Sequence, residues 1–196
     1  MKNRTANVDR KTRETQVRVE LNADGSGSVE VSTGLPFLDH MLELMCRHSL
    51  MDVKLSATGD LHVDYHHTVE DIGLTLGAAL NEALGEREGI KRYGWSLLPM
   101  DESLSRVALD LGGRPYLVYQ IANRRRKILD FDLRLLEEFF RGFTVEGRMN
   151  LHIAQLYGDE PHHAYESVFK GVGRALGMAV ARDPRERGVP SSKGVI

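Results

Sequence analysis

Cysteine and tryptophan are scarce in this chain of 196 residues, each occurring once. The single cysteine, Cys46, cannot form an internal disulfide framework and is typical of a protein in the reducing cytoplasm. Apolar runs of about 18 residues are absent, so the sequence predicts no membrane-spanning helix. The first residues, MKNRTANVDRK, are charged and contain no apolar core, so we expect no secretory signal.

An excess of one charge is also absent. The chain has 26 Lys and Arg against 28 Asp and Glu, a formal net charge of −2 at pH 7. Nucleic-acid binding requires a broadly basic face that displaces counterions from phosphates, so the charge balance argues against nucleic acid as the main partner. The apolar share of 41% is that of an ordinary globular protein with a hydrophobic core.

The first part of the chain shows clear periodicity. Alternation of apolar and polar residues over 15–34 predicts a β-hairpin with its turn at Asn22–Gly27. Helical spacing predicts one helix from Pro36 and another from Thr68 to near Gly85. Two short strands are predicted between these helices.

A similar series follows. Alternation over 105–121 predicts a second hairpin with its turn at Gly112–Gly113. Helices are predicted over 131–147 and 164–181, with a strand between them. The basic run 124–127 is followed by acidic residues, which favours a solvated or intersubunit loop.

Direct comparison of residues 66–86 with 162–182 supports an internal duplication. Seven of the 21 aligned positions are identical, namely His66/His162, His67/His163, Glu70/Glu166, Gly77/Gly173, Ala79/Ala175, Leu80/Leu176 and Ala83/Ala179. We therefore predict an α+β protein of two repeats, residues 1–90 and 91–196, that form one compact domain.

The eight histidines are clustered, and two pairs begin the duplicated stretches HHTVE and HHAYE. On a helix, positions i and i+4 share one face, so His66 and Glu70 can bind one ion while His67 points about 100° away. The same holds for the second motif. An isolated pair of histidines is usually a surface feature, but two matched copies indicate metal binding.

Two further histidines extend this donor set, one on the first helix and one on a predicted strand. Six histidines and two glutamates divide into two sites of about four ligands, and the absence of thiolate favours octahedral Mn²⁺ over structural zinc. The predicted metal ligands are His40, His66, His67, Glu70, His152, His162, His163 and Glu166.

Anion-binding candidates lie near glycines. Arg92 follows a Gly-Ile-Lys turn, Arg114 follows Gly112–Gly113, and the chain ends with a Ser-Ser-Lys-Gly stretch. Guanidinium groups, hydroxyls and a lysine suit phosphate. His48 lies two helical turns beyond His40 and can face the same cavity.

Three functional classes fit these residues. A dimetal enzyme whose ions keep positions open for substrate is one, and a dimetal phosphate-ester hydrolase is another, although the hydrolase favours bridging Asp-rich ligands. A non-catalytic RNA-binding or metal-mediated scaffold module is the third, and it requires a basic or aromatic face that the charge balance does not provide.

Several motifs together resemble one known family, imidazoleglycerol-phosphate dehydratase of histidine biosynthesis. They are GLPFLDHMLELMCRH, DYHHTVEDIGLTLGAAL, KRYG, PMDESLSR, GGRPYLVY, HHAYESVFKGVGRAL and PSSKG. The similarity extends from about Arg10 to Lys193. The resemblance implies two similar halves, each a four-stranded sheet packed on two helices, of the ribosomal protein S5 domain 2-like type.

The resemblance also implies a homo-oligomer of 24 subunits with active sites at subunit interfaces and two Mn²⁺ per site. The partner is a small phosphorylated imidazole, and neither nucleic acid nor membrane is expected. The implied substrate contacts are Glu14, His40, His48, Arg92, Arg114, Lys170, Ser192 and Lys193.

The implied reaction converts D-erythro-imidazole-glycerol phosphate to imidazole-acetol phosphate and water. Two divalent ions on the ring nitrogens favour an imidazolate, which can expel the side-chain hydroxyl. We hypothesise that Glu14, or a ligating Glu70 or Glu166, moves the carbon-bound proton, and that His48 protonates the leaving hydroxyl.

Overall fold

The computed structural model describes residues 3–122 and 126–196, which form two four-stranded sheets with four long helices packed between them. Two residues of the predicted basic loop, Arg124 and Arg125, lie outside the described residues. The predicted α+β class with two similar halves is confirmed. The elements of the first half are β1 (Thr5–Lys11), β2 (Thr15–Asn22), β3 (Val29–Ser32), α1 (Pro36–Ser49), β4 (Asp52–Gly59) and α2 (His66–Leu84).

The second half repeats this order with one addition, a two-stranded ribbon before its first helix. Its elements are β5 (Tyr93–Met100), β6 (Ser103–Asp110), β7 (Tyr116–Gln120), β8 (Lys127–Ile128), β9 (Phe131–Asp132), α3 (Leu135–Glu146), β10 (Asn150–Tyr157) and α4 (Pro161–Val180).

Both large sheets have the same topology. Their strand orders are β1-β2-β4-β3 and β5-β6-β10-β7. In each, the first two strands form an antiparallel hairpin, and the last strand in the order pairs in parallel with its neighbour. This shared topology extends the duplication from the second helices to the whole of each half.

The two predicted hairpins are wrong, although their strands exist. β3 pairs with β4 rather than β2, and β7 pairs with β10 rather than β6. The Asp52 carboxylate at the start of β4 explains the first case, because it accepts the backbone N–H groups of Ser26 (2.8 Å) and Ser28 (2.9 Å). These hydrogen bonds hold the β2–β3 loop at the start of β4, so that β3 pairs with the edge of β4 opposite to β2. The second strand predicted between the helices is replaced by a turn, in which Val63 N donates to Asp60 O at 2.8 Å.

The helices pack across the two halves. Each half's second helix contacts the first helix of the other half, so α2 packs on α3 and α4 packs on α1. The backbones of the paired helices are in close contact at the equivalent glycines of the duplication. A Cβ at Gly77 would lie 2.6 Å from the Phe143 carbonyl oxygen, and one at Gly173 would lie 2.3 Å from that of Met45. Only glycine permits this approach, so the two halves share one core.

Among the described residues, no helix is both long and apolar enough to cross a membrane.

Replacing these glycines with alanine tests the close packing. Helix propensity alone would raise the free energy of unfolding by about 1 kcal/mol. The clash with the facing carbonyl lowers it by about 1–3 kcal/mol. We therefore expect Gly77→Ala and Gly173→Ala each to lower the melting temperature, measured by circular dichroism. Arg174→Ala, at an exposed position of α4, is the control. A rise in melting temperature for either glycine variant would contradict the packing.

Candidate metal centre

The two HHxxE motifs form the first turns of α2 and α4. Helical geometry brings the first histidine of each motif to its glutamate, with Nε2–Oε2 distances of 3.7 Å for His66–Glu70 and 3.3 Å for His162–Glu166. The neighbouring rings are almost perpendicular, at 88° in the first motif and 89° in the second. Each histidine pair therefore presents two donors in different directions.

A third donor joins the second motif from α1. His40 Nε2 lies 3.9 Å from Glu166 Oε2, and its ring centroid is 5.4 Å from that of His162. One ligand atom from each of His40, His162 and Glu166 lies within 4.8 Å of the others. The two histidines are half-buried and the carboxylate is buried. Two imidazoles and one carboxylate at this spacing are a suitable donor set for a divalent transition metal.

Positive charge lies beside this cluster. The Lys170 ammonium, one turn further along α4, forms an ion pair with Glu166 Oε1. Burial tends to raise the pKa of Glu166, but Lys170 and the neighbouring histidines outweigh burial and lower that pKa. The pKa of His48 is lowered by burial and by the charges of Lys170 and Arg174. At neutral pH the carboxylate is therefore ionised and His48 is predominantly neutral.

The second histidine of the first motif faces two carboxylates. His67 Nδ1 lies 2.9 Å from Asp60 Oδ2 and 3.7 Å from Glu14 Oε2. The hydrogen bond with Asp60 is the main reason that the pKa of His67 is raised, although burial opposes it. Sequence reasoning did not identify Asp60, because it lies outside the motifs that carry the family resemblance.

Glu14 is held near His67 by the β1–β2 turn. Its backbone N–H donates to Thr12 Oγ1 at 3.1 Å. The adjacent Thr15 donates its hydroxyl to Asp71, whose carboxylate also accepts from Arg10 Nε at 2.7 Å. Asp71 directly follows Glu70 on α2, so the turn is fastened to the helix that carries the first motif.

The second histidine of the second motif also has a carboxylate partner. His163 Nδ1 lies 2.8 Å from Glu102 Oε2, in the β5–β6 turn. This hydrogen bond is the largest cause that lowers the pKa of Glu102, to about 2, and it raises the pKa of His163. Glu102 was not singled out from the sequence, although it lies within the PMDESLSR motif.

Three aromatic rings separate the two motifs within the chain. The ring centroids of His162 and Phe37 are 5.9 Å apart, those of Phe37 and Phe131 are 5.4 Å apart, and those of Phe131 and Tyr65 are 6.2 Å apart. Tyr65 immediately precedes His66. The motifs thus lie near each other but are separated by packed rings, so they do not form one donor cluster.

His152 is on a different surface. It pairs across the second sheet with Ala108, which pairs with the exposed Trp95, so these three residues share one sheet face. α4 packs on the opposite face, where Ser96 Oγ donates to the Gly171 carbonyl. His152 therefore points away from the helix that carries His162 and His163, and the chain alone does not bring it to their cluster.

The anion-binding candidates lie along the C-terminal segment. Arg92 binds the Asp110 carboxylate at 2.6 and 3.0 Å and the Pro190 carbonyl at 2.8 Å. Ile196 reaches Gly113, since a Cβ there would lie 3.0 Å from the Ile196 carbonyl carbon. The segment 190–196 thus runs from Arg92 to the neighbourhood of the exposed Arg114, and it exposes Ser192 and Lys193 on the way.

These basic residues are far from the second motif in the same chain. Arg92 immediately precedes β5, whereas Glu102, the partner of His163, follows its other end. A strand of 8 residues is about 25 Å long, which exceeds the reach of a small phosphorylated substrate. The chain therefore contains all of the predicted site residues but does not assemble them into a single site.

Comparison with known proteins identifies the family. A model of the family described as imidazoleglycerol-phosphate dehydratase matches residues 33–176. An imidazoleglycerol-phosphate dehydratase of Pelobacter propionicus is 51% identical over 193 residues, covering 98% of this chain and 99% of the relative. One of Nitrosococcus oceani is 52% identical over 197 residues and covers both chains completely.

Solved structures agree with this assignment. The imidazoleglycerol-phosphate dehydratase of Staphylococcus aureus superposes with a TM-score of 0.81 at 35% identity, covering 91% of this chain and 99% of that one. The enzyme of Pyrococcus furiosus, in complex with (S)-C348, gives a TM-score of 0.82 at 36% identity, with 96% and 100% covered. The chain therefore belongs to the imidazoleglycerol-phosphate dehydratase family and is a hydro-lyase of histidine biosynthesis.

Proposed function

We propose that the chain converts D-erythro-imidazole-glycerol phosphate to imidazole-acetol phosphate and water in the cytoplasm, in active sites that each use two Mn²⁺. The observation that carries this proposal is the cluster of His40, His162 and Glu166, which lies beside Lys170 and His48. The family is metal-dependent, and this cluster supplies donors of the appropriate kind.

The donor set fits a divalent metal such as Mn²⁺. Among the described residues, each close group of donors contains only imidazole and carboxylate, without thiolate. The proposed ligands remain His40, His66, His67, Glu70, His152, His162, His163 and Glu166. Bound ions would supply Lewis acidity toward the substrate's ring nitrogens, which helps the ring to expel the adjacent hydroxyl group.

The proton transfers are assigned to side chains near the two motifs. Glu14 is exposed, ionisable and fixed by its turn, so its carboxylate is our first candidate to remove the carbon-bound proton, before Glu70 or Glu166. His48 is our candidate to protonate the leaving hydroxyl. Its lowered pKa keeps it mainly neutral without substrate, whereas a nearby phosphate dianion would raise that pKa and favour its protonated form.

The phosphate-binding residues orient the substrate. Arg92, Arg114, Ser192 and Lys193 provide guanidinium, hydroxyl and ammonium donors along one segment, and Lys170 provides a further cation beside the metal cluster. Held at its phosphate, the substrate would present its ring in one orientation to the ligands, which lowers the entropic cost of the reaction.

The proposed site is completed by neighbouring subunits. The length of β5 between Arg92 and Glu102, together with the outward position of His152, supports a site shared between chains. Exposed Tyr93, Trp95 and Leu97 on the outer face of β5 are available for subunit contact. We propose a homo-oligomer, of 24 subunits, built from duplicated units at residues 1–90 and 91–196.

Metal-dependent loss of water is the direct test of the activity. The purified protein with Mn²⁺ should form imidazole-acetol phosphate. His67→Ala, His162→Ala and Glu166→Gln should each lower kcat/KM by at least about 100-fold, because each removes a proposed ligand. Asp9→Asn, which alters an exposed carboxylate paired with Arg18, should leave the rate unchanged. Release of inorganic phosphate in place of water loss would favour a hydrolase, and turnover in neither assay would favour a scaffold module.

Mixing two inactive variants tests whether sites are shared between subunits. Lys193→Ala alters the phosphate segment and His162→Ala alters the metal cluster. When the two are dissociated together and reassembled with Mn²⁺, about a quarter of the sites should contain both intact residues if each comes from a different chain. Wild-type protein taken through the same procedure is the control. Activity no greater than the sum of the separate variants would contradict shared sites.

Chelation tests the link between metal and assembly. Ligands from different chains would join those chains through the ion, so metal removal should abolish activity and also reduce the oligomer's size on a sizing column. Addition of Mn²⁺ should restore both. An oligomer that stays intact after complete metal removal would show that the ions do not hold the subunits together.

A further inference from the structure

We propose that Asp60 and Glu102 are positioning residues, each of which holds the Nδ1 of the second histidine in an HHxxE motif and leaves Nε2 of that histidine as its metal-binding nitrogen. This inference rests on the proposed metal binding by His67 and His163. Neither carboxylate belongs to the ligand set predicted from the sequence.

Asp60 lies in the loop between β4 and α2. Its Oδ2 is 2.9 Å from His67 Nδ1, which is a normal hydrogen-bond distance. The turn that carries Asp60 is closed by the bond from Val63 N to its carbonyl. The side chain is 15% exposed, and its other oxygen, Oδ1, is buried and has no hydrogen-bond partner among the described residues. The imidazole is thus the main partner of this carboxylate.

Glu102 makes the corresponding contact in the other half from the β5–β6 turn. Its Oε2 lies 2.8 Å from His163 Nδ1. Its Oε1 accepts the Ser103 hydroxyl at 2.9 Å and the Glu160 backbone N–H at 3.2 Å. Glu160 immediately precedes α4, so Glu102 is connected both to its own turn and to the helix that carries the histidine. Its position is therefore restrained on two sides.

The two carboxylates come from different places in the duplicated fold. Asp60 precedes the helix of its histidine, whereas Glu102 lies in the hairpin turn of its half. The matching hairpin turn of the first half carries Glu14, whose carboxylate is 3.7 Å from His67 and therefore not hydrogen-bonded to it. The duplication alone does not produce the same Nδ1 contact from two unrelated positions. A shared requirement for a hydrogen-bond acceptor at Nδ1 of each imidazole explains why both contacts are present.

The chemistry of imidazole gives that requirement. A neutral histidine has one N–H donor and one lone pair, and a carboxylate at Nδ1 fixes the proton there. The lone pair of Nε2 then points away from the carboxylate and is available to a metal. Such an acceptor orients the ring and increases its basicity, and its loss typically weakens metal binding by about 10–100-fold.

Direct coordination by Asp60 is the competing assignment. Ligand atoms of Glu14, Asp60 and His67 can lie within 4.8 Å of one another, which would allow an ion between them. His163 argues for the positioning role, because its Nδ1 forms the same short hydrogen bond with a carboxylate that is already bonded to Ser103 and Glu160. The two assignments differ in the number of ligands that the metal loses when Asp60 is removed.

Metal affinity measured without substrate is the test. Mn²⁺ would be titrated against a competing chelator with assembled wild-type protein and with Asp60→Ala, Asp60→Asn, Glu102→Ala and Glu102→Gln. Each alanine variant should bind Mn²⁺ about 10–100-fold more weakly. The amide variants should fall between alanine and wild type, since an amide oxygen still accepts from Nδ1–H but carries no charge. Asp9→Ala should bind Mn²⁺ like wild type, and circular dichroism would confirm folding.

Absorption of the Co²⁺-loaded protein separates positioning from coordination. If Asp60 and Glu102 only orient the rings, saturated alanine variants keep the ligand-field bands of the wild type. Bands that change in position and intensity would show that a ligand was lost and would overturn the assignment for that residue. Unchanged Mn²⁺ affinity in the folded alanine variants would overturn it as well. Because no turnover is measured, the affinity and absorption results do not depend on whether the protein catalyses the proposed reaction.

Discussion

The contact of each half's second helix with the first helix of the other half is the constraint on which the candidate site depends. At Gly77 and Gly173 the facing backbones approach so closely that a single methyl group would collide with a carbonyl oxygen. Because α4 is fixed on α1 in this way, His40 of one half meets His162 and Glu166 of the other. The candidate metal cluster is thus a consequence of packing between the repeats, and neither repeat contains it alone.

The same architecture separates the other functional residues. The length of β5 places the proposed phosphate-binding segment and the second motif at opposite ends of one sheet, and the pleat of β10 points His152 to the outer face. A small substrate cannot contact both ends of one chain. The proposed assembly of several chains would resolve this, since the basic segment of one subunit could lie against the proposed metal ligands of another. In this proposal, catalysis and oligomerisation depend on the same structural requirement.

Sequence periodicity predicted the local features and missed those that depend on long-range contacts. Apolar periodicity was sufficient to predict the four helices, and the i, i+4 spacing within the repeated HHxxE motifs was sufficient to predict the His–Glu pairs. The strands of the two predicted hairpins were found but mispaired, and β1 and β5, with which β2 and β6 form their hairpins, were not predicted. The first mispairing arises because the route of the β2–β3 loop is decided by hydrogen bonds to Asp52, far along the chain. Asp60 and Glu102 were missed for a similar reason. The role of an acidic residue in a loop becomes clear only from the imidazole that tertiary packing places beside it.

The central claim is that metal ligands from different subunits complete one site. The most direct measurement is a structure of the assembled protein loaded with Mn²⁺, with the ions located by anomalous scattering. We predict that at least one ion is bound by His152 of one subunit together with histidine and glutamate from the helix N-terminus of another. If all protein ligands of every ion came from a single subunit, the claim would be contradicted.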